Sequence, residues 1–151
     1  LVLGISADHP AARAASEACG GEALSFVPFL PHAEYRALLH RARVFVTAPR
    51  REDYGLAQLD ALAEGCALVT TAAPGPHAAL PIALALDERL VAADPGAKAR
   101  CAEGLAEAIR TALDDPVADL TQRTRSLLEP YLPETVDRVV AEELLPTLLD
   151  R

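Results

Sequence analysis

The chain has 151 residues, of which 51% are hydrophobic, and this length and composition suit a compact domain with a substantial apolar core. Its formal net charge of -8 excludes a broad nucleic-acid-binding surface, because the neutralisation of phosphates requires clustered lysine and arginine. No apolar stretch reaches the roughly 18 residues that cross a bilayer, and the absence of Trp leaves few rings for stacking on bases or sugars.

Short apolar runs alternate with Ala- and Leu-rich segments as far as residue 115, and Gly or Pro separates them. Strands are predicted at Leu1–Ser6, Leu24–Phe29, Val44–Ala48, Ala67–Thr71 and Leu90–Ala93. Helices are predicted at Pro10–Cys19, His32–Arg41, Leu56–Glu64, His77–Leu86 and Lys98–Asp114. Because nearly continuous apolar strands suit a parallel sheet that is buried on both faces, the order predicts a Rossmann-like, doubly wound α/β fold.

After Pro116 the pattern is helical, with segments at Val117–Leu128 and Val136–Leu149. The second segment carries an apolar stripe that consists of Val136, Val139, Val140, Leu144 and Leu148. Such a stripe packs against another surface, which is either the sheet of the same domain or a second domain. We therefore predict a Rossmann-like domain over residues 1–115 and a helical extension over residues 116–151 that packs on the same domain.

The most informative segment runs from Val44 to Gly75 and places a polar loop between a buried strand and a helix. Open α/β sheets bind ligands at this edge, beyond the carboxyl ends of the strands. Gly55 lets another group approach the backbone closely. The N–H groups of Gly55, Leu56 and Ala57 lie at the helix N-terminus, which suits an oxyanion or a sugar hydroxyl.

Two carboxylates border the same edge. Glu52 precedes the helix, and Asp60 lies within the helix, eight positions after Glu52. The helical period places Asp60 at the flank of the buried arc. That arc is predicted to consist of Leu56, Leu59, Leu62 and Ala63. Each acid taken singly is better explained as a surface residue, so the hypothesis that both bind one hydroxyl-rich ligand rests on the whole strand–loop–helix string.

These residues resemble the retaining glycosyltransferases of the GT-B fold, which carry a Glu-x7-Glu signature. The match is in register over Pro49, Arg50, Arg51, Glu52, Tyr54, Gly55, Asp60, Ala61 and Gly65. It extends upstream to residue 24 and downstream through Pro95–Gly96 to Pro116. The resemblance implies the C-terminal, nucleotide-sugar-binding half of a hexosyltransferase, with the N-terminal acceptor-binding domain outside this sequence.

The resemblance also implies roles for individual residues. Glu52 contacts the hydroxyls of the donor sugar and is the catalytic residue. The backbone of Tyr54, Gly55 and Leu56 lies close to the sugar and the phosphates. Asp60 takes the place of the second Glu, which holds the ribose, although its side chain is one methylene shorter.

Four further positions flank this segment. The loop after the Ala67–Thr71 strand offers Gly75 where the family has paired glycines. Arg50 and Arg51 are either part of the donor site or an exposed pair that binds nearby acids. His77 follows the Gly75 loop and is either close to the ligand or, as the better explanation, a surface residue at a helix start. The family's Arg and Lys that neutralise the pyrophosphate precede the strand at Leu1–Ser6 and lie outside the sequence.

Other chemistries have less support. The scattered histidines and the cysteines at positions 19, 66 and 101 lack metal-ligand spacing, so neither a metal ion nor another cofactor is expected beside the nucleotide-sugar. The chain starts at Leu1 and contains no Met, which predicts a piece of a longer protein. Because the acceptor-binding half is expected to lie outside the sequence, the piece is expected to be inactive by itself. The expected location is the cytoplasm, or a membrane surface reached through the other domain. The alternatives are a non-catalytic flavodoxin-like interaction module and half of a GT-B nucleotide-sugar epimerase.

Overall fold

A computed structural model describes residues 1–20, 24–93 and 98–149, with the side chain of Lys98 also left out. Pro95–Gly96, which the resemblance uses, lies outside the described residues. The chain divides into two compact units, Leu1–Leu38 (unit 1) and Leu39–Arg151 (unit 2). None of the described helices is long and apolar enough to cross a membrane.

Unit 1 contains a pair of short parallel strands and the helices that follow them. Strand β1 (Val2–Leu3) pairs with β2 (Phe26–Val27). Helix α1 (Pro10–Ala18) begins where the Nδ1 atom of His9 accepts a hydrogen bond from the Ala11 N–H at 3.2 Å. Helix α2 (His32–Arg41) starts in this unit and ends in unit 2. Both strands are shorter than predicted because only their central residues pair.

Unit 2 is built on a parallel sheet in which β4 lies between β3 and β5. The strands are β3 (Val44–Val46), β4 (Ala67–Thr71) and β5 (Val91–Ala92). The helices of this sheet region are α3 (Leu56–Ala63), α4 (Ala79–Leu86), α5 (Lys98–Asp114) and α6 (Leu120–Leu128). Short 3-10 turns occupy Glu88–Leu90 and Glu129–Tyr131. The predicted mixed α/β class, with parallel strands flanked by helices, is confirmed.

The core of unit 2 lies on both faces of β4, all of whose residues are buried. Leu68 packs in a cluster with residues of α3, α4 and α6, including Leu62 and Ile82. Its neighbours Ala67 and Val69 point to the other face and pack in a cluster with residues of α5. This alternation follows from the two-residue period of a strand. Helices on both faces therefore explain why the strand is apolar along its first three positions.

The C-terminal segment forms α7 (Pro133–Val139), a π-helical turn (Val140–Leu144) and α8 (Leu145–Leu149). Pro133 occupies the first turn, where its missing N–H costs nothing, so the helix begins earlier than the predicted Val136. Helix α6 packs against α3 and α4. The apolar stripe, in contrast, is between 37% and 57% exposed at all of its positions. Within the described chain, the stripe is not covered by the sheet.

Candidate functional site

The loop between β3 and α3 is attached to β4 by hydrogen bonds at both of its ends. The Thr47 N–H donates to the Val69 carbonyl at 3.0 Å, which continues the pairing beyond β3. The buried Thr71 hydroxyl then donates to the Pro49 carbonyl at 2.8 Å. The loop therefore leaves the sheet at its carboxyl edge, where the sequence predicted the site.

Glu52 lies close to two glycines whose positive φ angles other residues rarely adopt. Gly55 has φ of 90° and occupies the N-cap of α3, and Gly75 has φ of 119° in the loop after β4. A Cβ atom on Gly75 would collide with the Glu52 carbonyl oxygen. The Glu52 N–H also donates to the Pro74 carbonyl at 3.1 Å. The two loops thus hold the backbone of Glu52 in one place.

The Glu52 carboxylate is bound through one of its oxygens. The Gln58 side-chain amide donates from Nε2 to Oε2 at 3.0 Å, whereas Oε1 receives a longer contact, 3.4 Å, from the Tyr54 N–H. An ionised carboxylate has about four lone-pair positions. Oε1 therefore retains acceptor capacity on a partly buried carboxylate at the N-terminal end of a helix.

Gln58 joins Glu52 to two further polar side chains, and we call Glu52, Gln58, Thr70 and His77 the Glu52 network. The Oε1 atom of Gln58 lies 2.7 Å from Nε2 of His77 and 3.5 Å from the Thr70 hydroxyl. Gln58 and His77 are 2% and 5% exposed. Burial lowers the pKa of His77, while the nearby Glu52 acts in the opposite direction, and the buried Nδ1 atom has no hydrogen-bond partner among the described residues.

Three expectations about this region are wrong, namely the exposure of His77, the buried face of α3 and the position of Asp60. His77 is a buried member of the network, not a surface residue, and it precedes α4, which begins at Ala79. The buried face of α3 consists of Gln58, Leu59, Ala61 and Leu62. Leu56 and Ala63 are exposed, and the Gln58 amide, which is bound to Glu52 and His77, takes a position in the buried face.

The remaining predicted residues line the exposed side of the loop and helix. Asp60 is exposed one turn after Leu56, on the solvent face of α3 and not at the flank of its buried face. Tyr54 and Leu56 are 48% and 68% exposed. Arg50 is exposed, and Arg51 donates from Nε to Asp53 at 2.9 Å. The structure thus brings together Glu52, Tyr54, Gly55 and Gly75, and leaves Leu56, Asp60 and Arg50 open to solvent.

Sequence reasoning missed Gln58 and assigned His77, which follows the Gly75 loop, to the surface. The one available signal was a polar residue next to Leu59 in an otherwise apolar helix, since a buried amide is found where hydrogen-bond partners await it. Across residues 1–20, 24–93 and 98–149, no three His, Cys, Asp or Glu side chains are grouped so as to hold a metal ion.

Two cavities lie in other parts of the fold. One of about 350 Å³ in unit 1 is lined by residues after β1 and β2, among them Gly4, Phe29 and Tyr35. The other, of about 430 Å³, lies beside α6 and is lined by residues that include Ala85 and Arg123. Neither is lined by a predicted donor-site residue.

The comparisons with known proteins show the family of the chain. The model of the family Glycosyl transferases group 1 matches residues 2–126, so the chain belongs to this family and is a glycosyltransferase domain. It is similar to the glycogen synthases of two Mycobacterium tuberculosis strains, CDC 1551 / Oshkosh and ATCC 25618 / H37Rv. Each is 39% identical over 98 residues, which make up 64% of this chain and 21% of the relative. The chain therefore spans about a fifth of the curated relatives it matches. No solved structure matches it.

Proposed function

We propose that this chain is the donor-binding half of a retaining GT-B glycosyltransferase. In this proposal the whole enzyme moves a hexosyl group from a nucleoside-diphosphate sugar to an acceptor that a second domain holds. The observation that carries the proposal is the Glu52 carboxylate. It is held through Oε2 by Gln58, beside the N-terminus of α3, and keeps acceptor capacity on Oε1.

The donor sugar is the natural partner of that oxygen. A sugar hydroxyl donates to Oε1, and the negative charge of Glu52 favours the positive charge that develops on the sugar ring as the glycosidic bond breaks. The diphosphate lies near the backbone of Tyr54, Gly55 and Leu56, because the N-terminal end of a helix attracts anions. Gly55 has no side chain to obstruct this approach.

Three exposed side chains and one glycine complete the proposed site. Asp60 accepts hydrogen bonds from the ribose hydroxyls from the same exposed side of α3 as Leu56. Arg50 supplies positive charge for the diphosphate, and Arg51 does so after leaving its exposed pair with Asp53, which is worth about 0–1 kcal/mol. Gly75 keeps the loop after β4 close to the Glu52 backbone.

We expect donor binding to be independent of metal ions, since the helix terminus and the arginines supply the countercharge. The chain alone has one wall of a cleft that another domain would close, so it should bind nucleotide weakly and transfer nothing. Donor affinity that disappears with a chelator would contradict the first expectation. Turnover by the purified 151-residue chain would contradict the second.

Calorimetric titration with nucleoside diphosphates and their glucose conjugates tests the proposal. Glucose is the first sugar to try because the relatives are named glycogen synthases. Glu52→Ala should weaken binding of the conjugate by about tenfold to one hundredfold and binding of the diphosphate little, since a hydrogen bond to a charged group contributes about 1.5–3 kcal/mol. Asp60→Ala should weaken both ligands alike.

The matched control is Glu103→Ala, which removes an exposed acid on α5, the helix on the other face of the sheet. It should leave both affinities unchanged. The absence of saturable binding to any nucleoside diphosphate or conjugate would instead favour a non-catalytic interaction module.

A further inference from the structure

The buried face of α3 carries an amide where a helix packed on a sheet ordinarily carries an aliphatic side chain. Gln58 is 2% exposed and lies beside Leu59 and Leu62, which belong to the core. A buried amide without partners costs about 1–3 kcal/mol. Here both ends of the amide are bound, so the position serves the hydrogen bonds as well as the packing.

The chemistry of the partners determines which way the amide faces. A carboxylate accepts hydrogen bonds, so Nε2 of Gln58 faces Oε2 of Glu52. Oε1 of Gln58 then faces Nε2 of His77, which must carry a hydrogen in order to donate to it. The hydrogen bonds therefore run in one direction, from His77 to Gln58 to Glu52.

Gly55 provides the space for this arrangement. A Cβ atom at Gly55 would lie 3.2 Å from Nε2 of Gln58 and 3.5 Å from Cγ of Glu52. The missing side chain thus lets the amide pass next to the helix N-terminus and reach the carboxylate. The same glycine thus adopts the left-handed backbone conformation and leaves room for the contact between Gln58 and Glu52.

We propose that Gln58 is a positioning residue for Glu52, and that His77 holds the Gln58 amide in the orientation that occupies Oε2 and leaves Oε1 for the donor sugar. This inference rests on the function proposed above, because it specifies how Glu52 is presented to the sugar. Gln58 and His77 act through Glu52, and the proposal gives neither of them a contact with the donor sugar.

The decisive measurement compares a ligand that has the sugar with one that lacks it. In Gln58→Met the new side chain has a similar length and bulk but no N–H group. Glu52 therefore loses its hydrogen bond while the core stays filled. We expect the affinity for a nucleoside-diphosphate glucose to fall about tenfold, with the affinity for the diphosphate unchanged. If the role of Gln58 were merely structural, Gln58→Met would lower the affinities for both ligands together. That result would overturn the inference, as would no change in either affinity.

Gln58→Glu is the second variant. It keeps the shape and the acceptor that faces His77 but puts a second carboxylate against Glu52. Glucose-conjugate binding should be weakest at about pH 8 and should recover towards about pH 5.5, because a proton shared between the two acids restores the hydrogen bond. The unchanged protein at both pH values is the reference. If glucose-conjugate binding by this variant does not recover on acidification, the proposed role of the Gln58 N–H as a hydrogen-bond donor to Glu52 is contradicted.

Thr124→Val is the matched control for a change of a buried polar side chain. Thr124 is 2% exposed, and its hydroxyl has no hydrogen-bond partner among the described residues. Its substitution should leave both ligand affinities unchanged.

A nitrogen-15 NMR spectrum of the His77 ring tests the orientation without any ligand. It should show the hydrogen on Nε2, with this preference lost in Gln58→Met. A ring protonated on Nδ1 alone would overturn the inference. If the unchanged chain binds neither ligand, the proposed function fails, and the NMR result still decides the orientation of Gln58.

Discussion

Two regions of unit 2 differ in how their side chains are covered. Every residue of β4 is buried between helices, and the polar side chains at its end, Thr70 and Thr71, have hydrogen-bond partners. In α7, the π-helical turn and α8, the apolar stripe remains exposed. The comparison shows that an amphipathic pattern predicts a face in need of a partner, whereas only the folded chain shows whether that partner is present.

The largest difference between the regions should appear on truncation of a leucine in each. Leu68→Ala removes a side chain that is 1% exposed between α3, α4 and α6, and we expect the free energy of unfolding to fall by about 3–4 kcal/mol. Leu144→Ala changes a residue that is 49% exposed, with an expected effect within about 0.5 kcal/mol. Urea unfolding measures both. Equal losses would mean that the stripe is covered in solution.

An intermediate effect is expected from Gly75→Ala. The added Cβ atom collides with the Glu52 carbonyl oxygen, so the loop must move, and we expect a loss of about 2–3 kcal/mol together with weaker binding of a nucleoside-diphosphate glucose. Gly65→Ala is the matched control. Its φ of 88° carries similar strain, but its nearest neighbour lies 3.7 Å away, so it should cost about 1–2 kcal/mol and leave binding intact. Equal binding by both variants would argue against the role of Gly75.

The smallest effect is a dependence of stability on pH that comes from His77. Burial lowers its pKa below the ordinary value of 6.5, so the unfolded chain takes up the proton first as the pH falls. The stabilisation is complete above the unfolded pKa and is lost as the pH falls through the folded pKa. Urea midpoints should decrease from about pH 7.5 to about pH 5.5, and less so in His77→Gln. An unchanged slope in that variant would assign the effect to other groups.

Much of the fold could be predicted because its signals are local. The bounds of β4, α2 and α5 are those that the apolar pattern predicts, and Gly55 starts α3 at the predicted residue. Strand ends were less accurate, as in β1 and β2, since pairing with a neighbour decides where a strand ends. The donor roles of Arg50, Asp60 and the other exposed residues stay predictions.

The candidate site likewise has a part that the sequence predicted and a part that it did not. The strand–loop–helix order placed Glu52, Gly55 and Gly75 at one edge, because each follows a strand or begins a helix. Its buried partners were not predictable, since Gln58 and His77 are polar residues that the helical pattern assigns to a surface. They are separated from each other by 19 positions in the chain.

The sequence by itself determined the α/β class, the positions of the helices and the loop that carries Glu52, because hydrophobic period, glycine and proline act over a few residues. Only the tertiary structure decided that Gln58 is inside the core and Leu56 outside, since a buried amide is stable only where Glu52 and His77 meet it. It also decided that the C-terminal stripe lies exposed. Both outcomes depend on which residues from distant parts of the chain pack against a helix face, and a local sequence pattern does not contain that information.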